Sequence, residues 1–256
     1  MQGSVASRLL ALLGAFDAKH TSLTLSDLAR RADLPVATAH RLAGELVAWG
    51  ALAHTPIGTY EIGLRVWDLG LLAPMPSRLR QTASPFLQDL YAATLATVHL
   101  GVREGTQVLY LDRLSGSELP PISHVGARLP LHTTGIGKVL LAYAPEDVLG
   151  SVLANLTRVT RYTITDPDKL TEQLLQVRTE GYAYTREEMS LRACSLAVPV
   201  RDRDGEVPAA LGLTVSSLDR NTTQLVAALT VAANGIRRSL ASTIPTLSIR
   251  DDRGPM

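Results

Sequence analysis

A short run between Val36 and Arg41 holds the side chains best suited to reading the polar edges of another molecule. Arg41 offers a planar fork of donors that matches the O6/N7 pair of guanine. His40 and Thr38 can bond a base or a phosphate, and Val36 and Ala37 carry methyl groups of the kind that touch thymine. Helical spacing puts Ala37, His40, Arg41, Gly44, Glu45 and Ala48 on one face and Ala39, Leu42, Leu46 and Val47 on the other. A lone helix with such a face is more often plain solvated surface, so the surrounding elements decide. The other chemically capable side chains, His99, His124, His132 and Cys194, sit in separate segments without a nucleophile elbow or metal-ligand spacing. They read as structural residues, and the chain reads as a non-enzyme with no metal and no cofactor.

The elements around Val36–Arg41 are those of a winged helix-turn-helix. Val5, Leu9, Leu10, Leu12, Leu13 and Phe16 recur at helical spacing and predict a first helix with one broad apolar face. Thr24 followed by Asp27 reads as a capped start, and Leu25, Leu28, Ala29 and Ala32 as the buried stripe of a second helix. The turn falls at Ala32-Asp33-Leu34-Pro35, because the residue before a proline is pushed out of helical geometry and Pro35 suits the first turn of the next helix. Beyond the third helix, Ala51–Thr55 and Thr59–Ile62 flank Pro56-Ile57-Gly58 and predict a two-stranded ribbon. As a wing, it would bring His54, Thr59 and Tyr60 near phosphates. In this geometry the N-terminal half of the third helix enters the major groove of double-stranded DNA. Charge lends no support: residues 1–70 hold six Lys or Arg and six Asp or Glu. With no bulk basic footprint, binding would depend on where individual arginines sit and on a dimer that doubles the contacts.

The rest of the chain predicts a second domain. A helix over Leu64–Leu72 ends at Ala73-Pro74-Met75-Pro76, and another runs from about Arg78 to Thr94, interrupted near Pro85. Strands are expected at Thr97–Val102 and Gln107–Leu111 around a turn, at about Ile122–Val125, and at Gly181–Tyr184, Ser195–Val200 and Ala209–Val215. Helices are expected from Gly135 through KVLLAYA, at about Pro145–Leu153 and Pro167–Glu180, and from Thr222 to about Leu240. An antiparallel sheet flanked by helices makes the fold class α+β. The expected boundaries are a DNA-binding domain at 1–63, a linker helix at 64–76, a sensor domain at 77–242 and a loose polar tail at 243–256.

Whole-chain properties narrow the class further. A length of 256 residues suits two modest domains, and one cysteine excludes an internal disulfide framework. No apolar run approaches the roughly 20 residues that span a bilayer, and the apolar start carries Asp17 and keeps helical periodicity, unlike a signal peptide. A cytoplasmic location without membrane contact is expected.

At this point the chain resembles the IclR family of bacterial transcriptional regulators over nearly its whole length. The matching segments are LPVATAHRLAGELVAWGAL and GTYEIGLRVWDLG, then TVHLGVREGTQVLYLDRL, VGARLPLHTTGIGKVLLA and EGYAYTREEMSLRACSLAVPVRDRDGEVPAALGLTV. The resemblance implies a ligand-responsive DNA-binding regulator, expected to be a repressor. It further implies a homodimer or dimer of dimers on a pseudo-palindromic operator, and a GAF-like C-terminal domain that binds a small metabolite. By residue match the effector site would include Gly135, Ile136, Thr185, Ser195, Gly212 and Thr214, with the free amides at Gly135 and Ile136 holding an anionic ligand. Relatives often have an acid at Thr185, a cysteine at Ser195 (here Cys194 is displaced by one) and serines near Gly212 and Thr214. Those departures imply a larger or less polar effector, an organic acid or aromatic metabolite. Relatives also carry Lys and Ser where this chain has Val36 and Ala37, and Arg where it has Thr59, so the operator sequence does not transfer. The competing readings are a constitutive DNA-binding protein whose second domain only oligomerises and, less favoured, an enzyme.

Overall fold

The computed structural model describes residues 4–17, 19–115, 123–218 and 221–242, apart from the side chains of 74–76, and the chain divides into two units, 1–77 and 78–256. The expected tail at 243–256 and Ile122 lie outside the described residues.

The first unit contains α1 (Val5–Leu13), β1 (Ser22–Thr24), α2 (Leu25–Arg31), α3 (Val36–Trp49), β2 (Leu52–His54), β3 (Thr59–Ile62) and α4 (Leu64–Leu71). Thr24 caps α2 as expected: its hydroxyl accepts the Asp27 amide at 3.2 Å and donates to the Asp27 carboxylate at 2.8 Å. Leu12, Leu28, Ala29, Ala39, Leu42, Leu46, Leu52 and Tyr60 fill one core. The broad apolar face expected of α1 is narrower, since Val5 and Leu10 are exposed and only a stripe through Leu12 is buried. The ribbon also gains a strand. β1 pairs antiparallel with β3, Leu23 opposite Tyr60, giving the order β1-β3-β2. Because β1 runs straight into α2, backbone hydrogen bonds tie the wing to the helix-turn-helix.

The second unit is built on a six-stranded antiparallel sheet of order β6-β5-β4-β9-β8-β7. Its strands are β4 (Thr97–Glu104), β5 (Gln107–Leu114), β6 (Arg128–Pro130), β7 (Ala183–Arg186), β8 (Cys194–Val200) and β9 (Ala209–Val215). One face carries Val98, Leu100, Leu196, Val198, Leu211 and Leu213 and packs against α5 (Pro74–Thr94) and α9 (Thr222–Ser242). The other face is covered by α6 (Gly135–Ala142), α7 (Glu146–Leu153) and α8 (Pro167–Glu180).

Two expectations are corrected here. Helix α5 runs unbroken through Pro85, because the buried stripe Leu79, Ala83, Leu87, Leu90 continues past the missing backbone donor and anchors both halves. Phe86 beside it fits against α9 only because position 235 is glycine, where a Cβ would lie 2.3 Å from the ring. The third strand falls at Arg128–Pro130 rather than around Val125, since Gly126 turns the chain at φ +86° before it pairs with Gln107–Leu109. Among the described residues no helix is long and apolar enough to cross a membrane.

All residues of α6 are buried, and Lys138 among them is 1% exposed. Its ammonium donates to both Glu188 carboxylate oxygens, at 2.7 and 2.8 Å, and to Gln173 Oε1 at 2.7 Å. Burial pulls the Lys138 pKa down and pushes Glu188 up, and their mutual attraction opposes both shifts. Removing one partner strands the other charge in the interior. Lys138→Met is therefore expected to cost about 3–5 kcal/mol in urea unfolding, and Lys138→Met with Glu188→Leu to recover much of that loss.

Candidate functional site

The α3 face read from the sequence is open to solvent. Val36 is 51% exposed, and Ala37, His40 and Arg41 are exposed while Thr38 is half-buried. Pro35 caps the helix without a side-chain acceptor, so the first amides of α3 point outward unsatisfied. Most neighbouring arginines are occupied: Arg30 with Asp27, Arg31 with Asp17 and the Ala15 carbonyl, and Arg65 over the Trp49 ring. Arg41 makes no ion pair among the described residues and projects its charge free.

The wing corrects the expectation in part. Tyr60 is only 7% exposed; its ring packs in the core, edge-on to His54 at 4.9 Å, which removes it from the groove-facing set. The Thr59 hydroxyl accepts from Ser22 at 2.8 Å and is hydrogen-bonded to the Thr55 hydroxyl at 2.7 Å, so it pins the hairpin. Ile57 at the wing tip is 85% exposed, which the sequence reading passed over.

In the second unit the register assembles an open cavity of about 610 Å³ with the solvent at its mouth included. Thr185 lies opposite Ser195, Ser195 opposite Thr214, and Thr214 opposite Thr97, which makes one row of hydroxyls across β7, β8, β9 and β4. Two residues along, the row reads Ala183, Ala197, Gly212, His99 and Arg113. Gly135 and Ile136 close over this floor: a Cβ on Gly135 would lie 2.9 Å from Ser195 Oγ, and one on Gly212 2.9 Å from Ile136. All six effector residues named from the sequence line this cavity.

Its hydrogen bonds alter one expectation. The Gly135 amide donates to Ser195 Oγ at 3.0 Å, and Ser195 in turn meets Thr185 at 2.6 Å. The Gly137 amide is taken by Thr134 Oγ1 at 3.0 Å. The Gly135 and Gly137 amides are therefore satisfied from within, and Gly135 is not free to hold an anion.

Residues that the sequence reading left out supply the rest of the lining. His99 sets Nε2 3.2 Å from Thr214 Oγ1 and Nδ1 3.4 Å from Ser123 Oγ, and lies edge-on to Tyr110 at 5.4 Å. Burial, helped by the nearby Arg113 charge, lowers the His99 pKa to about 3 and keeps the ring neutral. Burial pushes the Tyr110 phenol to about 12, against a hydrogen bond from Thr134. Met189, on the loop after β7, forms one wall. That loop is held from behind by the Lys138–Glu188 pair and by the Thr163 hydroxyl, which donates to the Glu188 carbonyl at 2.7 Å. Strand alternation could have found His99 and Arg113, since both fall in phase with Gly212 once the register is known.

The arrangement offers a ligand hydroxyl donors, two neutral rings and a single cation. Among the described lining residues the hydroxyls of Thr214 and Ser123 meet the His99 ring, whose burial makes it a weak base, and Cys194 packs toward α5 and α9 with Sγ 4.0 Å from the Ser216 carbonyl. Among the described residues, no three His, Cys, Asp or Glu side chains gather where they could hold a metal ion.

Unfolded, His99 would take a proton near its ordinary 6.5; folded, it refuses one until about 3. Its contribution is complete above about pH 6.5 and is lost as pH falls toward 3, at about 1.4 kcal/mol per unit. Wild-type protein should therefore lose about 2–3 kcal/mol more than His99→Gln between pH 6.5 and 4.5, read from urea midpoints.

Comparison with known proteins follows the same division. Residues 5–56 match the IclR helix-turn-helix domain, and residues 76–238 match the C-terminal domain of bacterial transcriptional regulators of the IclR type. The chain is 33% identical over 211 residues to the HTH-type transcriptional regulator XynR of Escherichia coli (strain K12), covering 80% of this chain and 83% of that protein. It is 29% identical over 210 residues to the HTH-type transcriptional repressor AllR of the same strain, covering 80% and 78%. The crystal structure of an IclR homolog from Microbacterium hydrocarbonoxydans, complexed with 4-hydroxybenzoate, superposes with a TM-score of 0.89 at 36% identity, covering 94% of this chain and 100% of that one.

Proposed function

The chain belongs to the IclR family of bacterial transcriptional regulators, and within it we propose a repressor whose grip on a pseudo-palindromic operator changes when an aromatic or other organic acid fills the cavity. It is a ligand-responsive DNA-binding regulator and not an enzyme. The observation that carries the conditional part of this reading is the cavity, where Gly135, Ile136, Thr185, Ser195, Gly212 and Thr214 meet from distant segments. Its rings and methyl groups suit an aromatic body, and the 4-hydroxybenzoate held by the Microbacterium hydrocarbonoxydans protein is a molecule of that kind. A repressor role is favoured by the likeness to AllR.

Val36, Ala37, Thr38, His40 and Arg41 are assigned to the DNA face, with Thr59 behind the wing as a pin. We assign residues 1–63 to DNA reading, 64–76 to the connection and 77–242 to sensing, in the cytoplasm where the operator lies. Dimerisation is supported by α4, whose Leu64, Trp67 and Leu71 recur at three- and four-residue spacing and are each at least half exposed, with Leu72 at its C-cap beside them. A contiguous apolar helix face of this kind is suited to a second copy. Two copies would present two α3 helices to half-sites about one helical turn apart, or a multiple of that. Effector binding would act by changing how the two are spaced, and a pair of dimers would double the contacts again.

Electrophoretic mobility shift on the gene's own upstream region, with and without 4-hydroxybenzoate and related acids, tests the whole reading. A retarded band that responds to an acid is expected; no retarded band would remove it. Arg41→Ala should weaken operator binding by roughly 10- to 100-fold while leaving acid-induced thermal stabilisation intact. Trp67→Glu should shift the chain toward monomer in light scattering and weaken operator binding as well.

A further inference from the structure

We propose that Arg113 is the counter-ion for the effector's carboxylate, which places the acid group at the β5 end of the cavity and away from the start of α6. This rests on the reading of the cavity as the effector site. Arg113 pairs with His99 in the antiparallel register, so its side chain leaves the sheet on the cavity face. Among the described residues lining the cavity it is the one charged group; His99 is neutral, and no acid is present.

Its guanidinium is underused. Nη2 donates to Ser115 Oγ at 3.0 Å, while Nε is buried with no acceptor. A buried donor left unmade is costly and is normally explained by a partner that arrives. Asp112, its neighbour in sequence, does not fill the role: its carboxylate is bound by Arg80 of α5 on the opposite side of the sheet. The competing anion site is weakened, since the Gly135 and Gly137 amides are already bonded to Ser195 and Thr134. The Ser195–Thr185 and Thr214 hydroxyls, in the adjacent row, are then left to receive the polar group at the far end of the ligand. The effector class that fits is an acid with a flat apolar body and a neutral hydrogen-bonding group opposite its carboxylate.

Calorimetric titration of the full chain with 4-hydroxybenzoate, 4-hydroxybenzamide and pyruvate, for wild type, Arg113→Lys and Arg113→Met, tests this. Wild type should prefer the aromatic acid over its amide. Arg113→Met should weaken acid binding about 10- to 100-fold while leaving the amide within about twofold, and Arg113→Lys should keep part of the preference. Without ligand, Arg113→Met should melt no lower than wild type, because an uncompensated charge has been removed. Arg113→Met that keeps the acid preference, loses acid and amide alike, or melts well below wild type overturns the assignment. If pyruvate binds and the aromatic acid does not, with binding lost in Arg113→Met, Arg113 stands and the aromatic reading falls. A wild type that binds neither acid overturns both.

Discussion

Successive side chains on a strand point to opposite faces, and in this protein that alternation separates a dry core from a cavity. On β4, Val98 and Leu100 join the core under α5 and α9, while Thr97 and His99 look the other way. On β9, Leu211 and Leu213 join that core, while Gly212 and Thr214 line the cavity. The pairing register aligns these choices across neighbouring strands, so hydroxyls stack beside hydroxyls and small residues beside small residues. A shift of one residue in any central strand would put leucines into the cavity and threonines into the core. The same register that stabilises the sheet therefore defines what the cavity can bind.

The cavity's roof depends on a second constraint. Helix α6 is buried on all sides, which leaves Lys138 nowhere to reach water. A buried ammonium persists only with a close partner and further hydrogen bonds, and Glu188 and Gln173 provide them. Because Glu188 precedes Met189, the charge pair also fixes where one cavity wall stands. The Thr160 and Thr163 hydroxyls, bonding the Glu187 and Glu188 carbonyls, hold the same loop from the segment after α7.

Much of this was legible in the residues. The capped start of α2, the inward stripe of α3 and the strands β8 and β9 follow from local periodicity and turn chemistry, and the structure keeps them. Strand β1 was missed because three residues hold too short a pattern to alternate visibly; it exists through pairing with β3. Pro85 argued for a break that the tertiary stripe on α5 overrides. Tyr60 looked like a surface contact because a tyrosine in a hairpin can face either way, and only the pairing with Leu23 settles it. In the sensor half, family likeness located Gly135, Ile136, Thr185, Ser195, Gly212 and Thr214, but likeness to relatives with different pockets could not point to His99 or Arg113. Arg113 depends on the bulge between Leu100 and Gly101, where β5 changes phase, whereas His99 falls in place through its pairing with Gly212 on β9.

The contact between Gly212 and Ile136 has a consequence for how this lineage can change. A side chain at 212 would begin 2.9 Å from Ile136, with the Leu196 carbonyl equally near. A serine there is not reachable by one replacement: it needs a smaller residue at 136 and a shift of the β8 backbone at Leu196 as well. Position 212 is thus tied both to the size of residue 136 and to the backbone of β8. New effector preferences are more readily acquired at lining residues outside the sheet floor, such as Leu129, Met189 and Ser190, than at position 212. Paralogues of this protein should accordingly share a floor and differ in the walls.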